Sequence, residues 1–99
     1  MRIIKKTTLQ DFWNKHSDCK KQLEIWYFLV LKSAWKNLND VKNIPYTSIL
    51  SDNRVVFNIK GNNYRLITEI NFNAGIVYIC WIGTHSEYNH LDAKTVWDY

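Results

Sequence analysis

Proline occurs once and glycine three times in 99 residues. Nothing in such a chain reads as a Pro- or Gly-rich linker, and no repeat or low-complexity stretch divides it. One domain over residues 1–99 is therefore expected. Cysteine is nearly as scarce: Cys19 and Cys80 make neither a CxxC pair nor a zinc spacing. Cys80 lies in an apolar run, Ile76 to Ile82, and reads as a small core residue. Long hydrophobic runs are missing too. No stretch reaches the roughly 18–20 apolar residues of a membrane helix. The opening Met1-Arg2-Ile3-Ile4-Lys5-Lys6 turns charged too soon for a secretory leader. These features predict a cytoplasmic protein with reduced thiols and no membrane partner.

What is present is apolar and aromatic. Hydrophobic residues make up 46% of the chain and aromatic residues 15%, which favours a packed core over disorder. A domain of this size buries roughly 60–70% of its unfolded surface, enough for one core. With five Trp and six Tyr, some aromatic rings must reach the surface. Lys and Arg number 13 against 9 acidic residues, giving a net charge of +4 and a pI of about 9.1. That excess suits a phosphate-rich partner, and it equally suits an ordinary basic globule.

Arg2-Ile3-Ile4 reads as a short first strand. Thr7-x-x-Gln10 has the form of a capping box, with a helix over about 8–16. Ser17 and Asp18 can cap a second helix. In it Cys19, Leu23, Trp26, Tyr27, Val30 and Ala34 form one stripe. Ile25, Phe28, Leu29 and Leu31 widen its apolar surface beyond that stripe, so this helix either is central or carries a second contact. Two such helices in succession predict an αα-hairpin. Residues 36–53 read as a loop, with a helical turn near Asp40–Lys42.

After residue 54 the period becomes two. Val55, Phe57 and Ile59 alternate with Arg54, Val56, Asn58 and Lys60, then Leu66, Thr68, Ile70 and Phe72 alternate with Arg65, Ile67, Glu69 and Asn71. Asn62-Asn63 suits a two-residue turn, and Asn73-Ala74-Gly75 a three-residue turn with glycine left-handed. These turns pair Lys60 with Arg65, Ile59 with Leu66, Phe57 with Thr68 and Val55 with Ile70. On the other side they pair Phe72 with Ile76, Ile70 with Tyr78, Thr68 with Cys80 and Leu66 with Ile82. One face stays apolar throughout. The other carries Asn58, Lys60, Arg65 and Glu69, with Trp81 beside Ile67 and Gly83 opposite Arg65, where a missing side chain leaves open space. The fold class is α+β: an N-terminal αα-hairpin packed on a small antiparallel sheet.

The chain leaving this sheet carries His85, Glu87 and Tyr88 toward Arg65 and Lys60. Two cations, an imidazole, a carboxylate and a phenol at one end of a meander suit metal-free cleavage of RNA through its own 2′-hydroxyl. Such cleavage needs a base, fixed positive charge on the phosphorane and an acid for the leaving oxygen. Arg offers paired donors for the charge, and each acid–base role is worth about 10²–10⁴-fold. Trp81 or Tyr88 can stack a splayed base. Every one of these residues also has an ordinary reading. Lys60 and Arg65 can be solvated edge charges, Glu87 a partner for a nearby Lys, Tyr88 a packer at the core edge and His85 a surface residue. His16 and His90 read as structural or solvent-facing.

Arg54-Val55-Val56-Phe57-Asn58-Ile59-Lys60-Gly61-Asn62-Asn63-Tyr64-Arg65-Leu66 resembles the central segment of HigB-type toxins. Ile82-Gly83-Thr84-His85-Ser86-Glu87-Tyr88 resembles their closing motif, Thr-His-x-Glu-Tyr-Asp, with Asn89 where the acid is common. Met1-Arg2-Ile3-Ile4, Phe12-Trp13 and Trp35-Lys36 also fit, so the resemblance spans most of the chain.

The resemblance implies a RelE/ParE-like fold. It implies a ribosome-dependent mRNA endoribonuclease, an mRNA interferase of a type II toxin–antitoxin module that inhibits translation and growth without a metal or cofactor. The implied partners are a HigA-type helix-turn-helix antitoxin, the ribosome and mRNA, with operator DNA reached only through the antitoxin. The family's motif falls on Asn58, Lys60, Arg65, His85, Glu87 and Tyr88, which implies Arg65, His85, Glu87, Tyr88 and Lys60 as catalytic residues and Asn58, Lys60 and Arg65 as RNA-binding residues; Trp81 joins the RNA-binding set by its stacking ring. His85 and Glu87 share the acid–base roles, with their division open. Lysines 5, 6, 20, 21, 36 and 42 are candidates for ribosomal phosphate contacts, and the second helix for antitoxin contact or self-association. The alternatives are a non-catalytic ParE-like inhibitor of a protein such as gyrase, and a plain RNA-binding module.

Overall fold

Two-residue periodicity builds the middle of the structure, a computed structural model that describes residues 1–61 and 63–97. Among the described residues five strands form one sheet: β1 (Arg2–Ile4), β2 (Thr47–Ile49), β3 (Arg54–Ile59), β4 (Tyr64–Asn71) and β5 (Ile76–Thr84), in the order β1-β5-β4-β3-β2. Four helices accompany them among the same residues: α1 (Lys6–Lys15), α2 (Lys20–Lys32), α3 (Leu38–Lys42) and α4 (His85–Tyr88). A single 3-10 turn, Ser17–Cys19, joins α1 to α2. Among the described residues no helix is long and apolar enough to cross a membrane.

The antiparallel sheet expected from sequence is corrected to a mixed one. β1 runs parallel to β5, with Arg2 beside Ile76 and Ile4 beside Tyr78. Tight turns dictate the direction only of strands they join, and β1 is far from β5 in sequence. β2, three residues long, lies within the segment expected to be loop. α3 occupies the expected helical turn, and its cap is Asn37, whose side chain accepts from the amides of Asn39 and Asp40.

Two expected caps are absent. Thr7 lies inside α1, whose N-cap is Lys5 with no side-chain bond. Ser17 and Asp18 form the 3-10 turn, and α2 starts after Cys19, again without a side-chain cap. Asp18 instead reaches across to the sheet, as described below.

Helices α1, α2 and α3 cover one face of the sheet. Leu9 and Trp13 of α1 and Leu23, Trp26 and Val30 of α2 pack with Val55, Phe57, Leu66, Ile70, Val77 and Ile79. The predicted stripe on α2 is buried at Cys19, Leu23, Trp26 and Val30 and half-buried at Tyr27, whereas Ala34 lies past the helix and is exposed.

The opposite face was expected to be mainly polar. It carries a second, smaller core: Val56, Ile67 and Cys80 are buried beneath Leu50, Trp81, Tyr88, Leu91, Ala93 and Val96. The chain after β5 folds back over the sheet. Arg54 holds it there, 3% exposed, donating to the carbonyls of Ala93 (3.1 Å) and Val96 (2.7 Å) and to Glu69 (3.3 Å).

The β3–β4 register differs from expectation by two residues. Ile59 pairs with Tyr64, Phe57 with Leu66, Val55 with Thr68 and Asn58 with Arg65. The connection is longer than two residues, and among its described residues the positive φ angles fall at Lys60 (51°) and Gly61 (65°). Glycine takes that conformation without steric cost, which draws the turn forward. Of the expected Asn62-Asn63 turn, Asn62 lies outside the described residues. A shift of two leaves every side chain on its own face, so the apolar face survives the error.

Between β4 and β5 the expected pairs hold at the far end: Leu66 with Ile82, Ile67 with Trp81, Arg65 with Gly83. A bulge between Ile67 and Thr68 then moves the register by one, giving Thr68–Ile79 and Ile70–Val77 in place of Thr68–Cys80 and Ile70–Tyr78. The turn is correspondingly longer, and Asn71 shapes it by accepting from the amides of Ala74 (3.0 Å) and Gly75 (2.9 Å). Gly75 is left-handed as expected, with φ 71°. The bulge puts Cys80 into the second core and Val77 and Ile79 into the first. Burial pushes the Cys80 thiol up to about 11.

Candidate functional site

The site is built where β5 runs into α4. Thr84 caps α4 reciprocally: Glu87 N–H donates to Thr84 Oγ1 (3.1 Å), and Thr84 N–H donates to Glu87 Oε1 (2.8 Å). This capping box was hidden in the Thr-His-x-Glu motif, since a Thr followed three residues later by Glu is its signature. The Glu87 carboxyl is held below the usual range, chiefly by that backbone bond from Thr84. His85, the first helical residue, donates its amide to the Asn63 carbonyl (2.9 Å), which ties α4 to the start of β4. The His85 and Glu87 side chains are exposed.

Arg65 lies opposite Gly83, and its guanidinium carbon sits 5.7 Å from the centre of the Tyr88 ring. The Tyr88 and Trp81 rings are 6.3 Å apart. Asn58 is the ladder partner of Arg65 on the other side. Arg65, Tyr88, Trp81 and Asn58 thus share the α4 face of the sheet.

The space expected at Gly83 is filled. A Cβ there would meet the six-membered ring of Trp81 and lie 2.9 Å from Glu87 Oε1. The glycine lets the indole fold over the strand. Gly83→Ala is expected to cost about 1–3 kcal/mol by overpacking, read as a lowered denaturation midpoint. Trp81 also borders a groove of about 180 Å³ with Thr8, Asp11, Phe12 and Lys15 of α1.

Lys60 is engaged by an acid from the turn between α1 and α2. Its ammonium pairs with Asp18 Oδ2 at 3.1 Å, while the Tyr64 hydroxyl donates to Asp18 Oδ1 at 2.7 Å. His16 lies edge-on to Tyr64, with ring centres 5.5 Å apart, and stacks on Phe12 at 4.4 Å. The Tyr64 bond, then the Lys60 bond, hold the Asp18 carboxyl below its ordinary value. The same bond to Asp18 pushes the Tyr64 phenol up to about 12. The sequence marks Asp18 only as a helix cap, and no local pattern marks its link to residues more than 40 positions away. Among the described residues, no three His, Cys, Asp or Glu side chains gather as a metal site requires.

Folded Asp18 and Glu87 both bind protons less readily than in the unfolded chain. The stability they add is therefore present above their ordinary values, 3.8 and 4.5, and is lost as pH falls below them. Denaturation midpoints measured from pH 7 to pH 3 should fall along this limb. The Asp18→Asn/Glu87→Gln double variant should be less stable at pH 7 and show a flatter acid limb. An unchanged limb would remove both carboxylates from the account.

These features define a class: a small α+β domain whose mixed sheet presents an arginine, aromatic rings and an exposed His–Glu pair at one end. The family model HigB_toxin, described as a RelE-like toxic component of a toxin-antitoxin system, matches residues 19–91. The chain belongs to this toxin family, and an antitoxin is accordingly its partner. No curated protein matches the chain.

Proposed function

We propose that this toxin is a ribosome-dependent mRNA endoribonuclease, acting in the cytoplasm as one domain over 1–99. The observation that supports this best is the grouping of Arg65 with Tyr88 and Trp81 at the strand end that leads directly into His85 and Glu87. A guanidinium fixed beside aromatic faces suits a phosphodiester whose neighbouring base is splayed and stacked. Arg65 stabilises the charge that develops on the phosphorane. His85 and Glu87 supply base and acid, and Tyr88 orients the phosphate or stacks a base. Asn58 and Trp81 contact RNA from the same face. Lys60, paired with Asp18, contributes positive potential at the edge of the site. The antitoxin is of the HigA type, with a helix-turn-helix domain through which the pair reaches operator DNA.

The test is growth arrest on expression, with the 5′ ends of cellular messages mapped, for the wild type and His85→Ala. The wild type should arrest growth and leave new in-frame cuts in translated messages. His85→Ala, changed at an exposed side chain, should fold and do neither. Arrest with intact messages and damaged DNA would mean a gyrase-type inhibitor instead. Equal arrest and cutting by both proteins would remove His85 from the chemistry.

A further inference from the structure

The second helix has two apolar sides. Its inner stripe is buried under the sheet, yet Ile25 (59% exposed) and Phe28 (54%) face outward together with Leu29 and Leu31. Residues three and four apart meet on a helix surface, so Ile25, Phe28 and Leu29 make one continuous patch. A groove of about 280 Å³ between α1 and α2 opens beside it, with Trp13, Tyr27 and Phe28 in its lining.

The charge around this surface is of one sign for the most part. Lys6 stands over the Tyr27 ring (4.9 Å) and Lys20 over Trp13 (5.9 Å), both on the groove. Lys21 and Lys32 are exposed on α2 itself, and Glu24 is the acid of the groove lining. Exposed apolar side chains ringed by ammonium groups suit an occupant with apolar anchors and acidic neighbours. A second copy of this chain is a poor match, because it would bring the same lysines to the same ring.

We infer that the α1–α2 groove, continued over the outer face of α2, seats the antitoxin. The antitoxin meets it with an amphipathic segment whose apolar side chains are flanked by Asp or Glu. This rests on the toxin–antitoxin reading and needs nothing from RNA cleavage. Ile25 and Phe28 are anchors, and Phe28 is the larger of the two. The lysines set orientation and on-rate. Occupation of this surface would also cover Lys6, Lys20 and Lys21, which are candidates for ribosomal contacts, so binding here opposes toxicity without entering the Arg65 site.

The experiment is Ile25→Asp/Phe28→Asp, made at exposed positions so that the fold is kept, which a thermal melt verifies. Binding of the purified full-length cognate antitoxin to both toxins is measured, and growth is followed with and without antitoxin expression. Loss of two anchors should weaken Kd by at least about 30-fold. Antitoxin should restore growth against the wild type and fail against the double variant, which stays toxic. Unchanged Kd and full rescue would overturn the inference. So would a wild-type toxin that light scattering finds dimeric and that the double variant makes monomeric, since the face would then join two copies. Loss of toxicity in the wild type would count against the nuclease reading, and the Kd comparison would still decide this surface.

Discussion

Arg65→Ala is expected to slow message cleavage by about 10²–10³-fold, the usual effect of removing one preorganised donor to a developing oxyanion. Expression of this variant should no longer arrest growth. Its stability should change little. The Arg65 side chain is half-buried, rests on Tyr88 and makes a long 3.5 Å bond to the Tyr64 carbonyl. A stacking contact of this kind is worth about 0.5–1 kcal/mol. Arg65→Lys separates charge from geometry. It keeps the positive charge and loses the planar pair of donors, so its activity should lie between wild type and alanine. In vitro cleavage on programmed ribosomes, compared with melting curves of the same proteins, reads both effects. A large fall in melting temperature with proportionate loss of activity would make Arg65 structural.

Arg54→Ala should do the reverse. Arg54 is buried, and its three bonds hold Glu69 and two carbonyls of the segment that closes the second core. Removing it strands those acceptors and loosens the cover over Val56, Ile67 and Cys80. Breaking a buried charged network costs about 3–5 kcal/mol. Glu69 is partly exposed, so about 2–4 kcal/mol is expected here. For a domain near 100 residues that corresponds to a fall of roughly 10–25 °C in Tm. Because Tyr88 and Trp81 belong to the same core, activity should fall as well, but in step with the unfolded or loosened fraction. Calorimetry on Arg54→Ala and Arg65→Ala side by side separates a residue that holds the site from one that acts in it. Equal melting temperatures for Arg54→Ala and wild type would show that the C-terminal segment stays in place without the clamp.

Much of the sheet was legible because alternation is robust. A register error of two residues at the β3–β4 turn left Val55, Phe57 and Leu66 on the core face. The pairing differs because positive φ angles fall already at Lys60 and Gly61, which draws the turn forward. The bulge at Ile67/Thr68 was not legible. Nothing local distinguishes an extra residue at Cys80 from regular alternation, and its effect, exchanging Cys80 and Ile79 between cores, is decided by packing on both faces. The position of Arg65 opposite Gly83 was legible and holds, whereas the open space beside it does not, because the Trp81 indole folds back along its own strand.

The sequence by itself determined the α+β class, the apolar stripe of α2, the meander β3–β4–β5 and the motif that begins at Thr84. Each follows from local stereochemistry: side-chain period, turn residues and a capping box only four residues long. The tertiary structure decided the parallel pairing of β1, the second core under the C-terminal segment, the Arg54 clamp and the Asp18–Lys60–Tyr64 cluster. These join residues far apart in the chain, between partners that no short stretch of sequence can name. Their strength depends on burial and on bond distance, which exist only once the chain has closed on itself.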